Sequence, residues 1–224
     1  MDTNHPLVVD STHSIMNTAG AIRILTVDDH PMLREGIAAV LANEQDMVVV
    51  GEAANGREAI EQFRAHRPDV TLMDVQMPEI NGIDAIVKIR DEFPDARIIV
   101  LTTYTGDAQA ARAFQAGASG YLLKNMVRKE LIDTIRTVHS GKKRIPPEIA
   151  VEMAEHHSDD ALTVREIEVL RGVAAGNANK RVAQLLNISE ETVKAHMKSI
   201  LSKLGANDRT HAVTIALRRG IIEI

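Results

Sequence analysis

The 224-residue chain contains no cysteine and no tryptophan, and its aromatic side chains are limited to Phe63, Phe93, Tyr104, Phe114 and Tyr121. The first absence excludes a disulfide framework, a thiolate metal site and a cysteine nucleophile, and makes a reducing cytoplasm the expected compartment. The scarcity of aromatics means that Ile, Leu, Val, Ala and Met must supply the buried surface, at about 25 cal/mol per Å² of apolar area. Also missing are an apolar run of about 20 residues and a charged start leading into an apolar core, so neither a membrane span nor a signal peptide is expected. Residues 1–20 carry one apolar patch, Leu7 to Val9, and no period, which reads as a flexible tail.

What is present points to two domains and a linker, because the length exceeds one average domain. The net charge of −5 is unevenly spread: from residue 161 onward ten Lys and Arg face six Asp and Glu, so a basic segment follows an acidic one. That division suits a protein whose last domain meets a polyanion, although a solvated charged face gives the same count.

Five β-branched runs, IRILTV, MVVVGEA, DVTLMDV, RIIVLT and GYLL, recur between residues 22 and 123, with helical segments between them. Leu33, Ile37, Val40 and Leu41 step along one helix face, and Asn55 followed by Glu58 makes a capping-box pattern. This alternation predicts a doubly wound α/β domain over residues 21–141, with a five-stranded parallel sheet covered on both faces. Residues 142–160 combine a basic triplet, Pro146, Pro147 and a closing acidic pair, and predict a linker with one short helix begun at Pro147. His156 and His157 in that linker are neighbours pointing different ways, and read as a solvated pair rather than metal ligands.

From 161 to 224 the period is helical throughout. Thr163 and Glu166 form a capping box, a helix covers about Lys180 to Leu186, and another runs from Glu190 to Leu204. Its apolar face holds Val193, Met197, Ile200, Leu201 and Leu204; Glu191, Ala195 and Lys198 face outward, with Lys194 on the flank. Two helices joined by a short turn, the second presenting small and basic groups, predict a small all-α helix-turn-helix domain.

In open parallel sheets chemistry gathers at the carboxyl ends of the strands. Those ends carry Asp28 and Asp29, Asp74, Thr102 and Lys124. Three carboxylates brought together repel unless a cation lies between them, and an oxygen-rich set suits Mg²⁺. A lysine and a hydroxyl facing the same point suit phosphoryl oxygens. Each residue alone has an ordinary explanation, a helix cap for Asp, a strand position for Thr102, a solvated Lys124. Together at successive strand ends they point to phosphoryl transfer onto Asp74.

Residues 22 to about 141 resemble a response-regulator receiver domain through VDDHPMLREGI, DVTLMDVQMPEINGIDA, IIVLT and GASGYLLK. Residues 161–224 resemble the output domain of the NarL/FixJ (LuxR-type) regulators through LTVREIEVL, GNANK, LNISEETVKAHMKSILSKLGANDRTHAV and GII. The resemblance implies that Asp74 accepts phosphate from a sensor histidine kinase or a small phosphodonor. It implies that Asp28, Asp29, Asp74 and the carbonyl of Gln76 hold Mg²⁺, that Lys124 pairs with the phosphate, and that Thr102 swings toward it with Tyr121 following. Gln76 and Tyr104 occupy positions that influence phosphate lifetime in the family. Many receivers place proline after the lysine with a cis bond, but Asn125 stands here, where a cis bond costs about 2.5–4 kcal/mol, so none is expected.

For the output segment the resemblance implies double-stranded DNA as partner, with Thr192, Lys194, His196 and Lys198 at the groove and Asn179 and Lys180 at the backbone. Ala178 replaces the Ser or Thr of many relatives. In the last helix Val213, Ala216 and Leu217 face one way and Ile215 the other; the resemblance implies a homodimer contact at Val213, Ile215 and Leu217, made when the protein is phosphorylated or DNA-bound. Competing readings are a regulator that binds DNA regardless of phosphate, a Mg²⁺-dependent phosphohydrolase with Asp74 as nucleophile, and an adaptor acting through protein contacts alone. The enzyme lacks a second general acid near Asp74, and the adaptor leaves the basic helix unexplained.

Overall fold

A computed structural model describes residues 20–103, 106–155 and 161–222. Residues 1–19 of the expected tail, Tyr104 and the His156–His157 pair lie outside these residues. The N-terminal unit alternates strand and helix: β1 (Ile22–Val27), α1 (Pro31–Leu41), β2 (Met47–Ala53), α2 (Gly56–His66), β3 (Val70–Asp74), α3 (Gly82–Glu92), β4 (Ile98–Thr102), α4 (Asp107–Gln115), β5 (Gly120–Leu123) and α5 (Val127–His139). All pairings are parallel and the order is β2-β1-β3-β4-β5.

Alternation along each strand sorts the aliphatic side chains into two layers. Leu25, Val27, Met73, Ile98 and Val100 meet Ala59, Ile60 and Phe63 of α2, Ala85, Ile86 and Ile89 of α3, and Ala110 and Ala113 of α4. Ile24, Leu72, Ile99, Leu101 and Leu122 meet Ile37 and Leu41 of α1 and Leu131, Ile135 and Val138 of α5. Local signals start the helices: Pro31 stands at the head of α1, Asn55 accepts from the amide of Glu58, and Asn81 accepts from the amide of Asp84.

The segment expected to be a linker does more than connect. Arg144 pairs with Gly120 beside β5, its carbonyl accepting from the amide of Tyr121 at 3.0 Å. The helix α6 (Pro147–Glu155) starts at the expected proline, and its Ile149 is buried in the same layer as α4. Ile145 and Ile149 are the apolar residues that draw this stretch onto the sheet unit, a signal hidden by the flanking charges.

The C-terminal unit consists of α7 (Val164–Ala174), α8 (Asn179–Leu186), α9 (Glu190–Leu204) and α10 (Arg209–Arg218). Val169, Leu170, Val173, Val182, Val193, Met197, Ile200, Leu204, Ala212 and Ala216 form its core, and the capping box at Thr163 and Glu166 is complete. Asn187 in the left-handed conformation ends α8, and Ser189 caps α9 through the amide of Thr192, which together set the tight turn between the two helices.

Candidate functional site

β1 lies between β2 and β3, so the chain leaves β1 and β3 toward opposite sides and opens a crevice at their carboxyl ends. Val27 pairs with Met73, which sets Asp28 beside Asp74. Asp74 pairs with Leu101 and Thr102 with Leu123, so Thr102 and Lys124 each follow one step further around the same rim. Gly82 closes the β3–α3 loop under the site: its amide donates to the carbonyl of Val75 at 2.9 Å, and a Cβ there would stand 2.0 Å from the carbonyl oxygen of Asp74. Only glycine permits that approach.

Asp28 and Asp74 are buried, and Lys124 Nζ lies 2.8 Å from Asp28 Oδ2 and 2.8 Å from Asp74 Oδ2. The amide of Gln76 donates to Asp74 Oδ1 at 3.2 Å. Burial pushes the Asp74 carboxyl up to about 6; Lys124 pulls it down and the Asp28 charge pushes it further up. For Lys124 burial works against the charge, but the two carboxylates outweigh it and hold the ammonium above its ordinary value. One ammonium therefore faces a group of carboxylates. Asp28 Oδ2 and Asp29 Oδ1 are buried oxygens without an aligned hydrogen-bond donor. Such oxygens suit a hard divalent cation, and the ligand atoms of Asp28, Asp29, His30 and Asp74 all lie within 4.8 Å of one another.

The sequence reading missed His30. Its Nδ1 stands 2.7 Å from Asp29 Oδ1 and 3.2 Å from Asp28 Oδ1, while the ring is 70% exposed. Its place directly after the aspartate pair was the available signal. Gln109 was missed as well. The Thr102 and Tyr121 hydroxyls both donate to Gln109 Oε1, at 2.7 and 3.2 Å, and all three side chains are buried. Thr102 and Tyr121 are thus brought together, and both converge on Gln109. A glutamine on the same buried face as Ala110 and Ala113 was the signal for it. No cis peptide occurs among the described residues, in line with Asn125 after Lys124.

On α9, Thr192, Lys194 and Lys198 are exposed and His196 is partly buried; on α8, Lys180 is exposed and Asn179 is partly buried. Lys194 lies 3.3 Å from Glu190 and 3.8 Å from Glu191, surface pairs that cost little to exchange for a phosphate. Lys198 makes no ion pair among the described residues. Lys203, the third lysine of α9, is committed inward: its Nζ is 2.7 Å from Glu166 Oε2. Ile215, expected to face away from Val213 and Leu217, packs with both against the helical core and is half-buried. The helical period could not register that the sheet unit also closes on this core, through Ala108 of α4.

Residues 24–136 match the family model of the response regulator receiver domain, and residues 160–216 match that of the bacterial regulatory proteins of the luxR family. The chain is a response regulator with a LuxR-type output domain. The response regulator protein VraR of Staphylococcus aureus is 37% identical to this regulator over 207 residues, covering 90% of this chain and 99% of VraR. Among solved structures, ChrA, a response regulator of a heme-sensing two-component system, covers 91% of this response regulator and 100% of its own chain at 36% identity, with a TM-score of 0.54. RcsB of Salmonella enterica serovar Typhimurium, bound to a promoter in the presence of a phosphomimetic, covers 87% of this chain and 97% of its own at 28% identity, with a TM-score of 0.68. This is accordingly a DNA-binding response regulator of a two-component system. Among its described residues no helix is long and apolar enough to cross a membrane.

Proposed function

We propose that residues 21–141 of this regulator act as a receiver that catalyses its own phosphorylation and dephosphorylation at Asp74, in the cytoplasm, and that 161–224 read DNA as a dimer. The observation that carries the reading is Lys124 Nζ bridging Asp28 and Asp74 at 2.8 Å each, in a buried carboxylate cluster. A carboxylate oxygen of Asp74 attacks the phosphorus of a sensor kinase phosphohistidine or of a small phosphodonor. An acyl phosphate forms as the P–N or P–O bond to the donor breaks, and the leaving group departs with that bond's electron pair. Lys124 then turns from Asp74 to a phosphoryl oxygen, and the Thr102 hydroxyl takes another.

Asp28, Asp29, Asp74 and the Gln76 carbonyl would hold Mg²⁺, which supplies the positive charge that the transferring phosphoryl group requires. Incubation with acetyl phosphate and Mg²⁺, read by intact mass, tests the acceptor: a single phosphoryl adduct is expected, absent from Asp74→Asn. An adduct retained by that variant in full overturns the assignment.

On the output side Thr192, Lys194, Lys198 and His196 face the groove, and Asn179 and Lys180 the phosphates, so affinity combines a salt-dependent and a base-reading part. Val213, Ile215 and Leu217 belong to the pairing surface of a homodimer. A second reading, DNA binding that ignores phosphate, is favoured by one observation: Thr192, Lys194 and Lys198 are exposed while the two units are docked. Binding to genomic fragments with and without beryllium fluoride and Mg²⁺ separates them, since only the switch predicts a gain from the mimic.

A further inference from the structure

His30 stands at the head of α1 with extended backbone, φ −94° and ψ 106°, yet its side chain does not cap the helix. Pro31 occupies the start of that helix and fixes the direction of the chain there. The His30 amide donates to Asp28 Oδ1 at 2.9 Å, which ties the residue to the acidic rim. The imidazole turns back over the carboxylates: Nδ1 lies 3.2 Å from Asp28 Oδ1 and 2.7 Å from Asp29 Oδ1.

At 2.7 Å Nδ1 is close enough for a hydrogen bond to Asp29 Oδ1, but that buried oxygen has no aligned donor. Two polar atoms crowd side by side without bonding when both face a third point. A cation with six ligands at about 2.1 Å holds neighbouring ligand atoms about 3.0 Å apart and opposite ones about 4.2 Å apart. The two Nδ1 contacts bracket the first spacing. The ligand atoms of Asp28, Asp29, His30 and Asp74, all within 4.8 Å of one another, leave room for the second. With the imidazole proton on Nε2, Nδ1 carries a lone pair, and a ring that is 70% exposed can give its Nε2–H to solvent.

We propose that His30 Nδ1 is a nitrogen ligand of the cation held by Asp28, Asp29 and Asp74, and that it raises the affinity of the site for first-row transition ions such as Mn²⁺ and Co²⁺ without raising that for Mg²⁺. The inference rests on those aspartates forming the cation site. Mg²⁺ takes oxygen ligands and gains little from an imidazole, whereas a nitrogen ligand suits the ions from Mn²⁺ through Co²⁺ to Ni²⁺ increasingly well. Three carboxylates and the Gln76 carbonyl alone would make an all-oxygen site, so one nitrogen separates the two classes of ion. Among the described residues no other group of three or more such side chains lies close together.

Pulsed electron paramagnetic resonance of equimolar Mn²⁺ on the full chain reads the ligand atoms directly, because a ligating imidazole nitrogen gives a hyperfine coupling that oxygen ligands lack. Wild type should show that coupling. His30→Asn, which keeps a residue suited to a helix N-cap, should lose it. Calorimetry should find Co²⁺ bound at least about ten-fold more weakly by this variant, the lower end of the about 10–100-fold that even outer partners of a metal site contribute, with Mg²⁺ within about two-fold of wild type. A wild type without the coupling, or a coupling that survives in His30→Asn, overturns His30 as a ligand. An equal loss of Co²⁺ and Mg²⁺ affinity overturns the nitrogen preference and leaves His30 as a residue that orders the carboxylates. Asp28→Asn keeps the two failures apart, because it should bind both ions weakly. If it binds both as wild type does, the aspartate site is wrong and the inference falls with it; if it loses both while His30→Asn loses neither, only the nitrogen ligand is overturned.

Discussion

Replacing Glu166 by glutamine should unfold the output domain long before the receiver. The Glu166 carboxylate is buried where α7 meets α9: Oε2 accepts from the Thr163 amide at 2.7 Å and from Lys203 Nζ at 2.7 Å, and Oε1 accepts from Ser199 at 2.6 Å. Burial alone would raise its pKa, but Lys203, Ser199 and Thr163 outweigh it and hold the carboxyl down at about 2, against an ordinary 4.5. The folded pKa lies below the unfolded one, so the stability this group contributes is present above about 4.5 and is lost as the pH falls toward 2. The gap corresponds to about 3 kcal/mol at neutral pH.

Glutamine has the shape and charge of the protonated acid, so Glu166→Gln should lose about that amount, in keeping with the roughly 3–5 kcal/mol for breaking a buried pair. A domain of this size has about 3–9 kcal/mol in all, and its thermal transition should fall by roughly 10–20 °C. Calorimetry of the full chain reads the output and receiver transitions side by side. At pH 3 the gap between variant and wild type should shrink to less than half of its value at pH 7. A gap that stays constant between these two pH values would refute the carboxylate charge as its source.

Asp74 predicts the opposite slope for the receiver. Burial raises its folded pKa to about 6, above the ordinary 3.8 of an aspartate, so stability is fully present below about 3.8 and is lost as the pH rises through 6. In EDTA, Asp74→Asn should be more stable than wild type at pH 7 by about 2–3 kcal/mol and equal to it near pH 4, as urea unfolding would report. Mg²⁺ at about 100 times its dissociation constant should stabilise the wild-type receiver by about 2.7 kcal/mol, an increment that Asp28→Asn loses; equal stabilisation of the two proteins would remove Asp28 from the metal site. Lys198→Ala should weaken DNA binding, as read by anisotropy across a salt series, and an affinity and salt slope that both stay unchanged would withdraw its contact with DNA. Lys203→Ala should act on DNA binding through stability, with loss of the output transition preceding any change of slope.

Periodicity and strand-end chemistry carried the reading as far as they physically can. Buried parallel strands announce themselves as continuous aliphatic runs, and Asp28, Asp74, Thr102 and Lys124 were legible because a parallel sheet directs all its strand ends to one rim. Three things escaped, each because the determining partner is remote in sequence. Lys203 lies on the opposite side of α9 from Lys194, but a helical wheel cannot name its partner, a carboxylate 37 positions earlier. Residues 142–155 looked like a tether because charges and prolines flank their few apolar residues, while Ile145, Ile149 and Met153 pack them onto the sheet unit. Asp107 and Arg219 are 112 positions apart, and neither lies in a pattern that a single helix or strand would reveal. The acidic residues at the sheet rim and the exposed lysines of α9 are each written locally, as motifs that could stand in separate proteins. The contact between the two units is written in residues that only the folded chain brings face to face, at the start of α4 and the end of α10.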